Sequence, residues 1–169
     1  WSNSLRIKDK LEKVTQLKVL FVPNQSIIFD EVKNDINNRK PRILSIGRLE
    51  KVKGFDISIE VIKEILKKGI DLEYNIIGEG EERNKLLDLI GEEKRINLLG
   101  FKNRNYINNE IYKYDFILIT SRKEGMPNVF FEALAAGKVV VSTDVGDIKS
   151  VTGGTSLALV SDQGDLNSL

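Results

Sequence analysis

A doubly wound parallel α/β sheet is the fold this sequence predicts, and three observations predict it. Short, near-continuously apolar runs rich in Ile, Leu and Val recur from residue 42 onward, as strands buried on both faces require. Segments with apolar residues at helical spacing alternate with those runs, the order of a sheet covered by helices. Glycines stand where one kind of segment gives way to the other. With 169 residues, 41% hydrophobic and 30% charged, the chain has the length and balance of one ordinary globular domain.

Taken in order, residues 4–14 carry Leu5, Leu11 and Val14 at helix-like spacing, and KVLFVP at 18–23 reads as a short extended run. The Asn-, Asp- and Lys-rich stretch 24–40 reads as a linker, so residues 1–40 are expected to be an N-terminal flank and linker and residues 41–169 the main domain. RILSIG (42–47) is the first strand. FDISIEVIKEILKKG follows as an amphipathic helix with Phe55, Ile59, Ile62 and Leu66 on one face, closed by Gly69. The alternation repeats: LEYNIIG as strand, EERNKLLDLIG as helix, RINLLG as strand, residues 106–114 as a short helix, DFILIT as strand. PNVFFEALAAG is then a helix starting at Pro127, a residue suited to the first helical position, before KVVVST and a short last strand, SLALV. In such sheets ligands bind outside the carboxyl ends of the strands. Function is therefore expected in the loops after Ile46, Ile77, Leu99, Ile119 and Ser142.

Composition removes several chemistries. The chain has neither cysteine nor histidine, which excludes disulfides, thiolate nucleophiles, histidine general bases and most zinc sites within it. Carboxylates, Lys, Arg, hydroxyls and backbone amides remain. With 26 basic against 25 acidic residues there is no global charge to attract nucleic acid, so any anion site is local. The apolar runs fall far short of the ~20 residues of a spanning helix, and the N-terminus has no signal-peptide pattern. The first residue is Trp1 rather than Met, and the last stretch, SDQGDLNSL, reads as the first turn of a helix cut short. The expectation is a piece of a longer protein, truncated at its C-terminus.

Three loops hold candidate residues. In GRLEKVKG, Gly47 allows a sharp turn, and Arg48 and Lys53 stand at a strand's carboxyl end, where a fork and a point charge suit phosphate oxygens. Read alone, the same two cations also suit a solvated loop. IIGEGEER has G-x-G without the rest of the dinucleotide pattern, and reads as a tight turn at Gly78 and Gly80 or a place of close backbone approach. In SRKEGMPNVFFEALAAG, the amides of Gly125, Met126, Asn128 and Val129 surround a helix N-terminus, a ready phosphate site. Glu124 lies in that loop, and Glu132 one to two turns into the helix, within reach of a hydroxyl-rich group; offsetting the helix dipole and simple surface exposure are the bland readings of the two. TDVGD, with Asp144 and Asp147, reads as a turn rather than a metal site, and Trp1, Phe116, Phe130 and Phe131 as packing residues.

The ordered motifs IGRLEKVKG, IIGEGEER, INLLGF and DFILITSRKEGMPNVFFEALAAGKVVVSTDVG, with VPNQ more loosely before them, resemble glycosyltransferase family four, the group 1 set of retaining enzymes with the GT-B fold. Glu124 and Glu132 match its E-x7-E pattern. The resemblance implies a Rossmann-like C-terminal domain that binds a nucleoside diphosphate sugar, the acceptor glycan or glycolipid being held by an N-terminal domain not in this chain. Carried over by position, Arg48 and Lys53 would neutralise the leaving diphosphate and Glu124 would contact the transferred sugar. Gly125, Met126, Pro127, Asn128 and Val129 would hold sugar and phosphate, and Glu132 the ribose hydroxyls. Gly100, Phe101, Lys102 and Asn103 would border the base, with Gly47 and Gly78 beside the nucleotide.

The resemblance also implies transfer to a hydroxyl with retention at the anomeric carbon, without metal or other cofactor and without a nucleic-acid partner. A polysaccharide or glycolipid pathway is the expected setting, and a cytoplasmic location with membrane association through the absent half. VGDIKSV departs from the family's usual G-G followed by Glu, which leaves Asp147 outside the pattern. Donor binding without transfer is expected of this piece alone. The competing expectations are a nucleotide-binding or regulatory α/β module, in which Arg48, Lys53 and Glu132 would not converge on one cleft, and another GT-B enzyme such as an epimerase or a glycogen-synthase-like protein.

Overall fold

Apolar runs become strands and amphipathic runs become helices in a computed structural model that describes residues 5–15, 18, 39–152 and 157–162. Helix α1 (Leu5–Thr15) takes the expected opening position. The main domain runs β1 (Arg42–Ile46), α2 (Phe55–Lys67), β2 (Glu73–Ile77), α3 (Arg83–Ile90), β3 (Ile96–Gly100), α4 (Arg104–Glu110), β4 (Phe116–Ile119), α5 (Asn128–Ala135), β5 (Val139–Thr143), α6 (Ile148–Val151) and β6 (Ala158–Ser161). Trp1, most of the expected extended run at 18–23 and residues 24–38 of the expected linker lie outside the described residues.

Every strand pair is parallel, and the order across the sheet is β3-β2-β1-β4-β5-β6. Chain order therefore reverses direction between β1 and β4, the arrangement that opens a crevice at the strand ends. Alternate side chains of each strand feed two cores. Tyr74, Ile76 and Leu118 pack with Phe55, Ile59, Ile62 and Leu66 of α2 and with Leu86 and Ile90 of α3. Leu44, Ile77, Ile117, Ile119 and Val140 pack with Phe130, Ala133 and Ala136 around α5 and with Val145 and Ile148 near α6. Both faces being covered is the reason the strands read as unbroken apolar runs. Phe130 is fully buried and meets Phe131 edge-on at 5.4 Å, the packing role expected of them.

Two groups of buried polar side chains are paired across the sheet. The Tyr74 hydroxyl lies 2.8 Å from Ser45 Oγ and 2.6 Å from Ser58 Oγ, while these serines donate to the carbonyls of Leu118 and Phe55. That ties β2, β1, β4 and α2 together below the strand ends, and burial pushes the Tyr74 hydroxyl well above its ordinary pKa. At the other end of the sheet Asp115, 5% exposed, accepts from Arg39 Nη1 at 3.0 Å, from Arg39 Nη2 at 2.5 Å and from the Arg42 amide at 2.9 Å. This clamp fixes where the chain enters β1, next to the boundary that the polarity change after residue 40 predicts.

The differences from the sequence reading are local. Pro127 is the N-cap of α5, with φ −71° and ψ 120°, and Asn128 is the first helical residue; proline's fixed φ serves an extended cap as well as a first turn. α4 begins at Arg104 rather than at residue 106, because the Asn103 side chain accepts from the Tyr106 amide at 2.8 Å and caps it. Residues read as loop also form a 3-10 turn at Lys51–Lys53 and helix α6. Both are too short for a periodic pattern to show.

Removing the clamp is expected to destabilise the domain. Asp115→Ala leaves the Arg39 guanidinium, 40% exposed, and the Arg42 amide without their acceptor, a loss of about 1–2 kcal/mol for hydrogen bonds to a charged group. Urea denaturation checks this, and a change under about 0.5 kcal/mol, the size of a surface substitution, would show that Asp115 anchors nothing.

Candidate functional site at the β1–β4 strand ends

The strand-order reversal brings two loops side by side: residues 47–54 after β1 and residues 120–127 after β4. The first ends at Gly54, whose φ of 66° is left-handed and whose place a Cβ would share with the Thr120 carbonyl oxygen, 2.0 Å away. Gly54, not Gly47, is thus the glycine on which this loop turns. Thr120 Oγ1 donates to the Gly54 carbonyl at 2.7 Å, and the Arg122 amide donates to the Val52 carbonyl at 2.8 Å. The Arg122 guanidinium then grips both carboxylate oxygens of Asp56 at 2.7 Å each and the Lys51 carbonyl at 2.9 Å. Its hydrogen bonds hold the Asp56 carboxyl below the usual carboxylate range, burial opposing and the guanidinium charge adding to the effect.

A third loop supports these two from behind. Thr143 Oγ1 donates to the Ser121 carbonyl at 2.8 Å. Gly146, with φ 59°, lies so close to Gly125 that a Cβ would stand 2.0 Å from the Gly125 carbonyl oxygen. The segment that sequence reasoning reads as a turn, TDVGD, is therefore the floor under the Glu124 loop, and Asp147 is buried at the N-cap of α6. Among the described residues no group of three or more carboxylates or other ligating side chains could hold a metal ion.

Over these loops lies a cavity of ≈ 270 Å³ lined by Ile46, Lys53, Arg104, Glu124, Met126, Pro127, Asn128, Val129 and Glu132. Lys53 Nζ pairs with Glu124 Oε1, which also accepts from Ser121 Oγ at 3.1 Å. Arg104 Nη1 pairs with Glu132 Oε1 at 2.8 Å. Two carboxylates and two cations from four elements thus meet at the mouth of α5, where Pro127 offers the first turn no side-chain cap, the kind of helix end that suits an anion. Larger hollows of ≈ 420 and ≈ 720 Å³ lie beside the C-terminal ends of α2 and α3 and along edge strand β3. They are shallow, away from the reversal point, and gather no comparable set of facing pairs.

Of the residues singled out in the sequence, Lys53, Glu124, Met126, Pro127, Asn128, Val129 and Glu132 line the cavity. Arg48 does not: its side chain is 78% exposed and pairs with Glu50 at 2.9 Å. Gly78 packs against the first loop, a Cβ there standing 1.8 Å from the Gly47 carbonyl oxygen. Gly100 turns at φ 72°, Phe101 is exposed, the Lys102 ammonium sits 5.1 Å from the Tyr106 ring centre and Asn103 caps α4. Sequence reasoning missed Arg104. Its signal was the one used for Arg48 and Lys53, a cation shortly after a strand's carboxyl end, here on the first residue of the next helix.

The family model for glycosyl transferases group 1 matches residues 26–168. The amylovoran biosynthesis glycosyltransferase AmsK of Erwinia amylovora is 31% identical over 137 residues, covering 76% of this chain and 34% of that protein. The chain spans about a third of the length of the curated relatives it matches. The lipopolysaccharide outer core galactosyltransferase WaaB superposes with a TM-score of 0.80 at 20% identity, over 98% of this chain and 49% of that one. The pneumococcal O-GlcNAc transferase GtfA, solved with UDP and GlcNAc, superposes at 0.74 with 24% identity, over 95% of this chain and 32% of that one. At these identities the superpositions establish the GT-B, Rossmann-like fold.

The Asp56–Arg122 pair carries a pH signature. A carboxyl whose pKa is lowered on folding contributes stability above its unfolded value, near 3.8, and that contribution is lost as pH falls through the folded value. Thermal denaturation is expected to show wild type losing stability more steeply than Asp56→Asn below about pH 4. Parallel curves for the two would mean that the pair does not hold the loops together.

Proposed function

Because the chain belongs to the group 1 glycosyl transferases, we propose that it is the donor-binding part of a retaining glycosyltransferase and takes a nucleoside diphosphate sugar at the β1–β4 strand ends. The observation that carries this reading is the convergence of Lys53, Glu124 and Glu132 on one cavity at the N-terminus of α5. A regulatory module was expected not to bring Arg48, Lys53 and Glu132 to one cleft; Lys53 and Glu132 share one, and Arg48 stands apart from it.

In this reading the α5 N-terminus and Lys53 hold the diphosphate. Charge that builds on it as the sugar leaves then meets oriented amides and an ammonium already in place, which is electrostatic stabilisation without reorganisation. Arg48 is the second cation of the same loop. Glu124, oriented by Ser121 and Lys53, accepts hydroxyls of the sugar, and Glu132, deeper on α5, accepts those of the ribose. The loop of residues 100–103 borders the base. No side chain of this chain is assigned as nucleophile, so retention rests on the leaving phosphate assisting the acceptor on the same face. The acceptor, a glycan or glycolipid hydroxyl, belongs to a part of the enzyme outside this chain. The complex of the pneumococcal transferase with UDP and GlcNAc and the role in amylovoran biosynthesis named for the Erwinia protein support this reading.

Calorimetric titration with UDP, GDP and ADP is expected to show saturable binding of one nucleotide. Lys53→Ala and Glu132→Ala should each weaken it by about tenfold or more, the loss of a charge-assisted hydrogen bond, with folding checked by circular dichroism. Binding that neither substitution alters would remove the site from this cavity.

A further inference from the structure

The cavity at the β1–β4 strand ends is internally neutralised. Its two cations, Lys53 and Arg104, each already hold a carboxylate, Glu124 and Glu132, so a bare anion must compete with a carboxylate for either of them. An anion that captured Arg104 would leave Glu132, whose side chain is 10% exposed, without its cation, and a buried carboxylate stripped of its partner is strongly unfavourable. A ligand with hydroxyls next to its phosphates avoids that penalty. Hydroxyls donate to the carboxylate while phosphate oxygens accept from the guanidinium.

We propose that Arg104 is a specificity-determining residue that exchanges Glu132 for the diphosphate when ribose hydroxyls take Glu132 over, so that the site accepts nucleoside diphosphates and rejects free pyrophosphate. This rests on the reading of Glu132 as the ribose carboxylate. Arg104 is suited to the exchange. Its backbone is held at the start of α4 by the Asn103 cap, its side chain is 53% exposed, and it lines the same cavity as Lys53 and Asn128. The guanidinium's five donors in a flat fork fit phosphate oxygens in pairs.

The test titrates the full chain and its variants by calorimetry with UDP, GDP, ADP and inorganic pyrophosphate, with circular dichroism as the folding control. Glu132→Gln removes the competing charge at nearly constant shape, and is expected to tighten pyrophosphate while weakening the nucleotide, each by about tenfold. Arg104→Ala is expected to weaken the nucleotide by a similar factor, Arg104→Lys to restore part of it, and Arg104→Ala combined with Glu132→Gln to abolish the gain in pyrophosphate binding. A residue that merely kept the helices in place would move nucleotide and pyrophosphate together. Nucleotide binding by Arg104→Ala at wild-type strength, with Glu132→Ala still weakened, would overturn the exchange and leave the donor-site reading standing. Binding of none of the three nucleotides by the wild-type chain would overturn both.

Discussion

The reversal of strand order between β1 and β4 governs where this domain can bind anything. Parallel strands buried on both faces send every strand-to-helix loop to one edge, and only at the reversal do neighbouring loops leave toward opposite faces and open a crevice between them. Lys53 comes to that crevice from the β1 side, and Glu124 and Glu132 from the β4 side. Arg104 reaches it from beyond β3, two strands away across the sheet. Side chains separated by up to about eighty positions thus form one site because the sheet makes their loops neighbours, not because any local pattern joins them.

Holding those loops in register is the work of backbone contacts more than of side chains. Gly54 against Thr120, Gly78 against Gly47 and Gly146 against Gly125 are approaches that leave no space for a Cβ. Arg122 then joins the two central loops by charge, binding Asp56 and the Lys51 carbonyl together. The result is a rim on which two ion pairs, Lys53–Glu124 and Arg104–Glu132, sit side by side and leave its charge balanced.

Much of the architecture was legible in the sequence because burial on both faces leaves a strong trace: RILSI, FILI and VVVST could hardly be anything but central strands. Glu132 was legible as well, since a helix started by a proline places it at a computable depth below the N-terminus. Arg48 and Arg104 show the limit. Both are cations a few residues past a strand's end, yet the pair with Glu50 holds Arg48 at the surface and the pair with Glu132 holds Arg104 in the cavity. Spacing alone does not encode such a choice. The same holds for TDVGD, whose support of the Glu124 loop depends on a contact of Gly146 with Gly125 that no spacing announces.

The central claim is that the ligand site is the crevice at the β1–β4 strand ends, and amide chemical-shift mapping by NMR during titration with UDP, GDP or ADP tests it most directly. The account predicts the largest shifts at Lys53, Arg104, residues 124–126, Asn128 and Val129, with β5 and β6 affected only through the Gly146 contact. Shifts centred instead on residues 90–99, beside the larger hollows at the β3 edge, would contradict it.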